Sequence, residues 1–112
     1  MRWPSWTITH DAQRRPAGLP APHPGEVLAE DFLAPLGLSQ YALARALGVP
    51  QIRISEIVRG RRTITPDTAL RLARYFGTSA EFWVRMQATH DLMVARETLG
   101  PAIAATVAPR AA

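Results

Sequence analysis

Six side chains between residues 51 and 59 carry groups that hydrophobic packing does not require: Gln51, Ile52, Arg53, Ser55, Glu56 and Arg59. They are interspersed with Ile54 and Ile57, whose spacing predicts the buried face of one helix. An amide, a hydroxyl, a carboxylate and guanidinium forks form directed hydrogen bonds to base edges and phosphates. A helix that carries them fits a major groove about 12 Å wide. The segment therefore predicts a base-reading helix, and the alternative is a surface helix with a solvated polar face.

A second short helix is predicted just before this segment. Ser39 is a good N-cap residue, and Leu43 and Leu47 follow at helical spacing. Gly48 stands where the chain must turn, with φ above zero expected. Pro50 suits the first turn of the next helix, where its missing N–H has no helical partner. Two short helices around one glycine indicate a helix-turn-helix, although a simple helical hairpin has the same outline.

The positive charge of the chain is concentrated in this region. Thirteen arginines and nine acids give the whole chain +4, and residues 39–62 contain five arginines and one acid. Residues 1–38 sum to −1 and residues 63–112 to +1. All the excess positive charge therefore lies on the two helices and on the connector that contains Arg61 and Arg62. That distribution favours a phosphate backbone as partner.

Composition argues against several other classes. Without cysteine the chain has no disulfide and no thiolate metal site. Its three histidines are scattered, no glycine-rich phosphate loop is present, and neither Ser39 nor Ser55 has a base at nucleophile spacing. No catalytic residue, metal site or cofactor is expected, so the chain is not expected to be an enzyme. It also lacks an apolar signal core and a run of about 20 apolar residues, which predicts a soluble cytoplasmic protein.

The chain is expected to divide into three parts. Residues 1–22 contain four prolines and predict an irregular arm, whose Trp3 and Trp6 either fold back on the domain or belong to a simple tail. Residues 23–97 form the predicted domain, and residues 98–112 a tail. The first helix of the domain is expected to start near Pro24 and to bury the stripe Leu28, Phe32 and Leu36.

Two further helices are expected after the connector. The triplet Thr65-Pro66-Asp67 is a strong helix start, and Gly77 is the matching stop. Thr78 and Glu81 then stand at capping-box spacing and open a fifth helix that runs to about Arg96. This helix carries more apolar surface than a small domain can bury, which predicts a homodimer. The candidate dimer contacts are Phe82, Trp83, Met86 and Met93.

A longer pattern resembles a known family. The segments HPGEVL, GLSQ, ALGV, RISEIVRGRRTIT, DTALRLARYFGTS and EFWVRMQ lie in order within residues 23–92. Together they are similar to the HigA antitoxins, a branch of the Xre, or lambda-repressor-like, helix-turn-helix proteins of bacteria. The resemblance implies an all-α, five-helix, lambda-repressor-like DNA-binding domain that acts as a homodimer on an operator upstream of its own operon.

The same resemblance implies a partner protein. In this family the partner is a HigB-like toxin, an mRNA endonuclease that the antitoxin neutralises, and the complex commonly represses its own promoter. The alternative is a free-standing Xre-type transcriptional repressor without a toxin.

The resemblance also assigns roles by position. Gln40 matches a position that typically contacts phosphate, and Gln51 matches a base-reading position. Pro50 departs from the family pattern, because many relatives have a serine or threonine there. The arginines that follow the helix are expected to contact the DNA backbone of an inverted-repeat operator. The full set of expected DNA contacts is Ser39, Gln40, Gln51, Ile52, Arg53, Ser55, Glu56, Arg59, Arg61 and Arg62.

Overall fold

The computed structural model describes residues 21–111, and in that range every regular element is helical. Helix α1 spans residues 24–36, α2 Gln40–Leu47, α3 Gln51–Val58, α4 Pro66–Phe76 and α5 Ala80–Thr106. The expected five-helix, all-α architecture is confirmed, and α2 and α3 form the helix-turn-helix. The predicted irregular arm, including Trp3 and Trp6, lies outside the described residues except for residues 21 and 22.

Helix α1 changes its winding in the middle. Pro24–Val27 and Ala34–Leu36 are α-helical, whereas Leu28–Leu33 is π-helical. A π turn contains more residues than an α turn, so the residues that follow it point in a different direction. The buried side of α1 therefore contains Leu28, Phe32 and Leu33. Leu36 is turned outward with 59% of its surface exposed. The prediction of Leu36 as a core residue is therefore wrong, because it assumed an uninterrupted 3.6-residue period.

The core is built around Trp83, which is completely buried. Its ring centroid lies 4.9 Å from that of Phe32, and its indole Nε1 donates a hydrogen bond of 2.8 Å to Thr78 Oγ1. A residue with no exposed surface cannot contact a second subunit, so the assignment of Trp83 to the dimer interface is wrong. The remaining core residues come from the other four helices and the connector: Val27, Leu28, Phe32, Leu33, Leu43, Ala44, Leu47, Ile54, Ile57, Ile64, Ala69, Leu72 and Phe76.

Helix capping largely follows the sequence signals. Ser39 Oγ accepts from the Ala42 N–H at 3.0 Å, and Gly48 has a φ of 70°. Two expectations about helix starts are wrong. Pro50 is the N-cap of α3 rather than a residue of its first turn, because its ψ of 144° is extended. Ser79, not Thr78, caps α5, since the Thr78 hydroxyl accepts from the Trp83 indole.

Helix α5 is longer than expected. It was predicted to end near Arg96, but it continues to Thr106 and contains Pro101. A proline inside a helix removes one backbone hydrogen bond, and the alanines among residues 102–105 are strong helix formers that extend the helix past it. The domain boundary expected after residue 97 therefore falls inside a helix. Across residues 21–111, no helix has the length and apolar character needed to cross a membrane.

His23 caps the start of α1 in a form that depends on pH. Its Nδ1 accepts a hydrogen bond of 2.9 Å from the Gly25 N–H, so this nitrogen must be unprotonated. Burial lowers the pKa of His23 below its ordinary value of 6.5, and His90 lowers it further, while Asp91 and Glu26 act in the opposite direction. The unfolded chain therefore binds a proton at a higher pH than the folded chain does. The contribution to stability is present above pH 6.5 and is lost as the pH falls toward the lower folded pKa.

The substitution His23→Asn tests this pH dependence. Asparagine is a favourable N-cap that does not titrate. We expect the free energy of unfolding of the wild type to fall between pH 7 and pH 5, and that of the variant to fall less. Urea unfolding followed by circular dichroism at several pH values measures the difference. Identical pH slopes for the two proteins would show that His23 contributes nothing to it.

Candidate DNA-binding surface

One side of α3 is fixed against the core. Ile54 and Ile57 are fully buried, and Gly25 of α1 lies directly against the backbone of α3. A Cβ atom at Gly25 would overlap the carbonyl oxygen of Ile57 and lie 2.6 Å from its carbonyl carbon. This close approach holds α3 in place, and the opposite side of the helix faces solvent.

The solvent-facing side of α3 presents groups that are free to bind. Ile52 is 57% exposed, and Gln51, at the first position of the helix, is also exposed. Arg59 and Arg61 are exposed at the other end of the helix. Within residues 21–111, the side chains of Gln51, Arg59 and Arg61 have no hydrogen-bond or ion-pair partner. The structure thus places these predicted contacts on one accessible surface.

Arg53 is held by an ion-pair network instead. Its Nη1 donates to Asp67 Oδ2 at 2.8 Å, and the same oxygen accepts from Arg71 Nε at 3.1 Å. Arg71 also donates through Nη1 to the carbonyl oxygen of Leu47 at 2.8 Å. The hydrogen bond from Arg71, supported by Arg53, holds the pKa of Asp67 below its ordinary value. The network therefore joins α2, α3 and α4 through one ionised carboxylate.

Glu56 is paired in a similar way. Its Oε1 accepts from Arg62 Nε at 2.8 Å and lies 2.6 Å from Arg62 Nη2. The carboxylate was expected to contact DNA, and in this structure it is paired with the arginine of the connector. Both acids beside the exposed side of α3 are thus neutralised by arginines, which lowers their repulsion of a phosphate backbone.

Comparison with known proteins agrees with this geometry. A helix-turn-helix family model matches residues 30–83. Virulence-associated protein I of Dichelobacter nodosus is 56% identical over 85 residues, which cover 73% of this chain and 79% of that protein. The structure of Pseudomonas aeruginosa antitoxin HigA with the higBA promoter is 42% identical, with a TM-score of 0.79, and the match covers 81% of this chain and 99% of that chain.

The chain belongs to the HigA family of antitoxins. Its helix-turn-helix is of the Xre type that this family uses. A second structure, of antitoxin GraA in complex with its operator, is 39% identical with a TM-score of 0.80, and the match covers 88% of this chain and 99% of that chain.

The connector of this HigA-family protein is fixed by a residue that the sequence did not point to. Gln87 of α5 is buried, and its Oε1 accepts a hydrogen bond of 2.9 Å from the Ile64 N–H. Its Nε2 donates to Asp91 Oδ1 at 2.9 Å. The hydrogen bond between Gln87 and Ile64 holds the connector that carries Arg61 and Arg62. A glutamine inside a helix gives no local signal of such a role, because its partner is 23 residues away.

The remaining predicted contacts lie at the start of α2 and on α3. Ser39 is exposed, and its hydroxyl is used in the N-cap, while Gln40 beside it is half-buried. Ser55 is half-buried on α3. Asp67 was predicted only as part of a helix start and Arg71 was given no role, yet these two residues organise the edge of this surface through partners 14 and 24 residues away.

Proposed function

We propose that this HigA-family protein binds its operator as a two-fold dimer, represses its own operon and neutralises a HigB-like toxin. The observation that carries the DNA-binding part is the solvent-facing side of α3, where groups without a side-chain partner among residues 21–111 lie beside neutralised acids. In this proposal α3 enters the major groove and Gln51 reads a base edge. Arg59 and Arg61 contact phosphates, which supply affinity without sequence choice. The relatives solved with promoter or operator DNA support this assignment.

The proposed dimer places two α3 helices about 34 Å apart on one side of the DNA, so the operator is expected to be an inverted repeat. The contact between subunits is assigned to α5. Phe82, Met86 and Met93 are each partly exposed there, and Leu92 and Leu99 add exposed apolar surface. Because these residues form part of one helix, they can meet their two-fold copies in an isologous contact.

Two substitutions divide base reading from phosphate binding. Gln51→Ala is expected to weaken operator binding by about 1–3 kcal/mol and to leave random DNA almost unaffected. Arg61→Ala is expected to weaken binding to both DNAs equally and to lower the slope of log affinity against log salt by roughly 0.9. Fluorescence anisotropy with the duplex upstream of the gene and a shuffled duplex, at several salt concentrations, measures both quantities. Arg110→Ala, at an exposed arginine beyond α5, is the control and should match the wild type. Similar effects of Gln51→Ala on both DNAs would contradict the assignment of base reading to Gln51 and of phosphate binding to Arg61.

The toxin part of the proposal is tested separately, in the bacterial cytoplasm where the protein is proposed to act. The neighbouring open reading frame is expressed alone and together with this chain, and growth and co-purification are measured. Growth arrest by the neighbour that this chain relieves, with a co-purified complex, is the expected result. A harmless neighbour combined with intact operator binding would favour the free-standing repressor.

A further inference from the structure

We infer that Asp67 is a positioning residue that limits DNA affinity, because its carboxylate occupies Arg53 and withholds that guanidinium from the phosphate backbone. The inference rests on the proposed DNA-binding role of α3. Its direct consequence is that Asp67 lowers the salt concentration at which the protein leaves its operator.

Arg53 stands at the rim of the proposed contact surface. Successive residues of a helix are rotated by roughly 100°, so Arg53 lies between Ile52, which is exposed, and Ile54, which is buried. The Arg53 side chain is 29% exposed, and the Asp67 carboxylate that it meets is 56% exposed. A long side chain at this rim needs only rotations of its own bonds to turn from Asp67 toward a phosphate. From this position the Arg53 guanidinium is able to contact a phosphate, but in this structure it is bound to the Asp67 carboxylate.

A carboxylate competes directly with phosphate for an arginine. The guanidinium fork binds both anions through the same N–H donors. Asp67 is held in place for this competition, because its Oδ2 also accepts from Arg71, which is itself anchored on the Leu47 carbonyl. The Asp67 carboxylate is ionised at neutral pH, since its pKa lies below the ordinary value of 3.8.

The arginines of this surface fall into two groups. Arg53 and Arg62 are each paired with an acid, and they line one groove of about 340 Å³ together with Asp67 and Arg71. Arg59 and Arg61 are exposed and have no side-chain partner within the described chain. The free pair is available to phosphates at once, whereas the paired arginines are available only if an acid releases them.

The substitution Asp67→Asn tests the inference, since it keeps the shape of the side chain and removes its charge. The ion pair to Arg53 is lost and only a weaker, neutral acceptor stays in its place, while Arg71 keeps its bond to Leu47. We expect one additional phosphate contact, which raises the slope of log affinity against log salt by roughly 0.9. If the variant and the wild type bind equally at 1 M salt, this difference in slope makes the variant bind about eightfold tighter at 0.1 M salt. The gain should be the same on the operator and on the random duplex. Anisotropy titrations at four or more salt concentrations measure both values.

Three further variants separate release of Arg53 from other effects. Glu97→Gln makes the same change in net charge at an exposed acid of α5 that has no ion pair in residues 21–111, and it should leave the slope unchanged. Arg53→Ala alone should also leave the slope unchanged, and in combination with Asp67→Asn it should cancel the gain. Asp67→Ser is a second neutral replacement in case the asparagine variant does not fold.

The outcomes distinguish this inference from the proposed function. A wild-type slope for Asp67→Asn and Asp67→Ser, or a gain that survives Arg53→Ala, would overturn the role of Asp67 while leaving operator binding intact. A lower slope for Arg53→Ala would also overturn it, because Arg53 would then already contact phosphate in the wild type. Absence of salt-dependent binding by the wild type itself would remove both the proposed function and the inference.

Discussion

Replacing Gly25 with alanine should destabilise this protein by more than about 3 kcal/mol, because overpacking costs most where backbone meets backbone. The new methyl group would overlap the Ile57 carbonyl oxygen and would lie 3.0 Å from the Val58 Cα. Neither atom belongs to a flexible side chain, so α1 has to move away from α3. Urea unfolding followed by circular dichroism measures the loss. Operator binding should fall with it, since α1 supports the inner side of α3.

Gly100 offers a matched control for this substitution. It lies inside α5, and a Cβ atom there would have no neighbour within 4 Å outside its own stretch of the chain. Gly100→Ala should therefore cost far less than Gly25→Ala, because any crowding of the new methyl group is confined to the adjacent Pro101 near the exposed end of α5. If both alanine variants unfold at similar urea concentrations, the close packing of α1 on α3 does not exist in solution.

Replacing Trp83 with alanine should lower the free energy of unfolding by about 3–5 kcal/mol. The indole is fully buried, packs on Phe32 and forms the hydrogen bond to Thr78 that joins α5 to the preceding turn. Its removal leaves a large cavity at the centre of the core and an unpaired threonine hydroxyl. Chemical denaturation measures the loss, provided that the variant retains a cooperative transition.

Two neighbouring variants show which part of the indole matters. Trp83→Phe keeps an aromatic ring and loses the hydrogen bond, so its cost should lie well below that of Trp83→Ala. Val84→Ala, one residue away on the partly exposed side of α5, should change stability by less than about 0.5 kcal/mol. If Val84→Ala cost as much stability as Trp83→Ala, the side of α5 that packs on the core would not be the side that carries Trp83.

Features encoded by adjacent residues could be predicted from the sequence. Ser39 and Thr65 cap their helices through the N–H three residues later, and Gly48 and Gly77 adopt positive φ at helix ends. These signals are local, because each depends on backbone groups within one turn. The exposed positions of Gln51 and Ile52 followed from the helical period alone. The bounds of the helix-turn-helix could therefore be predicted from the sequence, apart from the start of α3.

Features that depend on distant partners could not be predicted in this way. Threonine is a common N-cap residue, but the Thr78 hydroxyl accepts a hydrogen bond from the Trp83 indole. Ser79 caps the helix instead, through the Phe82 N–H. Leu36 follows the expected period, but the π turn rotates it out of the core. The pairing of Arg53 with Asp67 joins two helices, so neither residue alone indicates it. A side-chain partner outside the local pattern decided the first and third of these cases, and the π turn of α1 decided the second.

The length of α5 has a consequence for its local stability. The helix contains 27 residues and so extends about 40 Å, and its two buried residues, Trp83 and Gln87, lie near its start. Residues 101–111 are all exposed, so the hydrogen bonds there are supported by helix propensity alone. Amide hydrogen exchange should therefore be graded along one continuous helix, from global opening near Trp83 to local fraying beyond Pro101. Slowed exchange in the last turns would then report directly that another chain covers them.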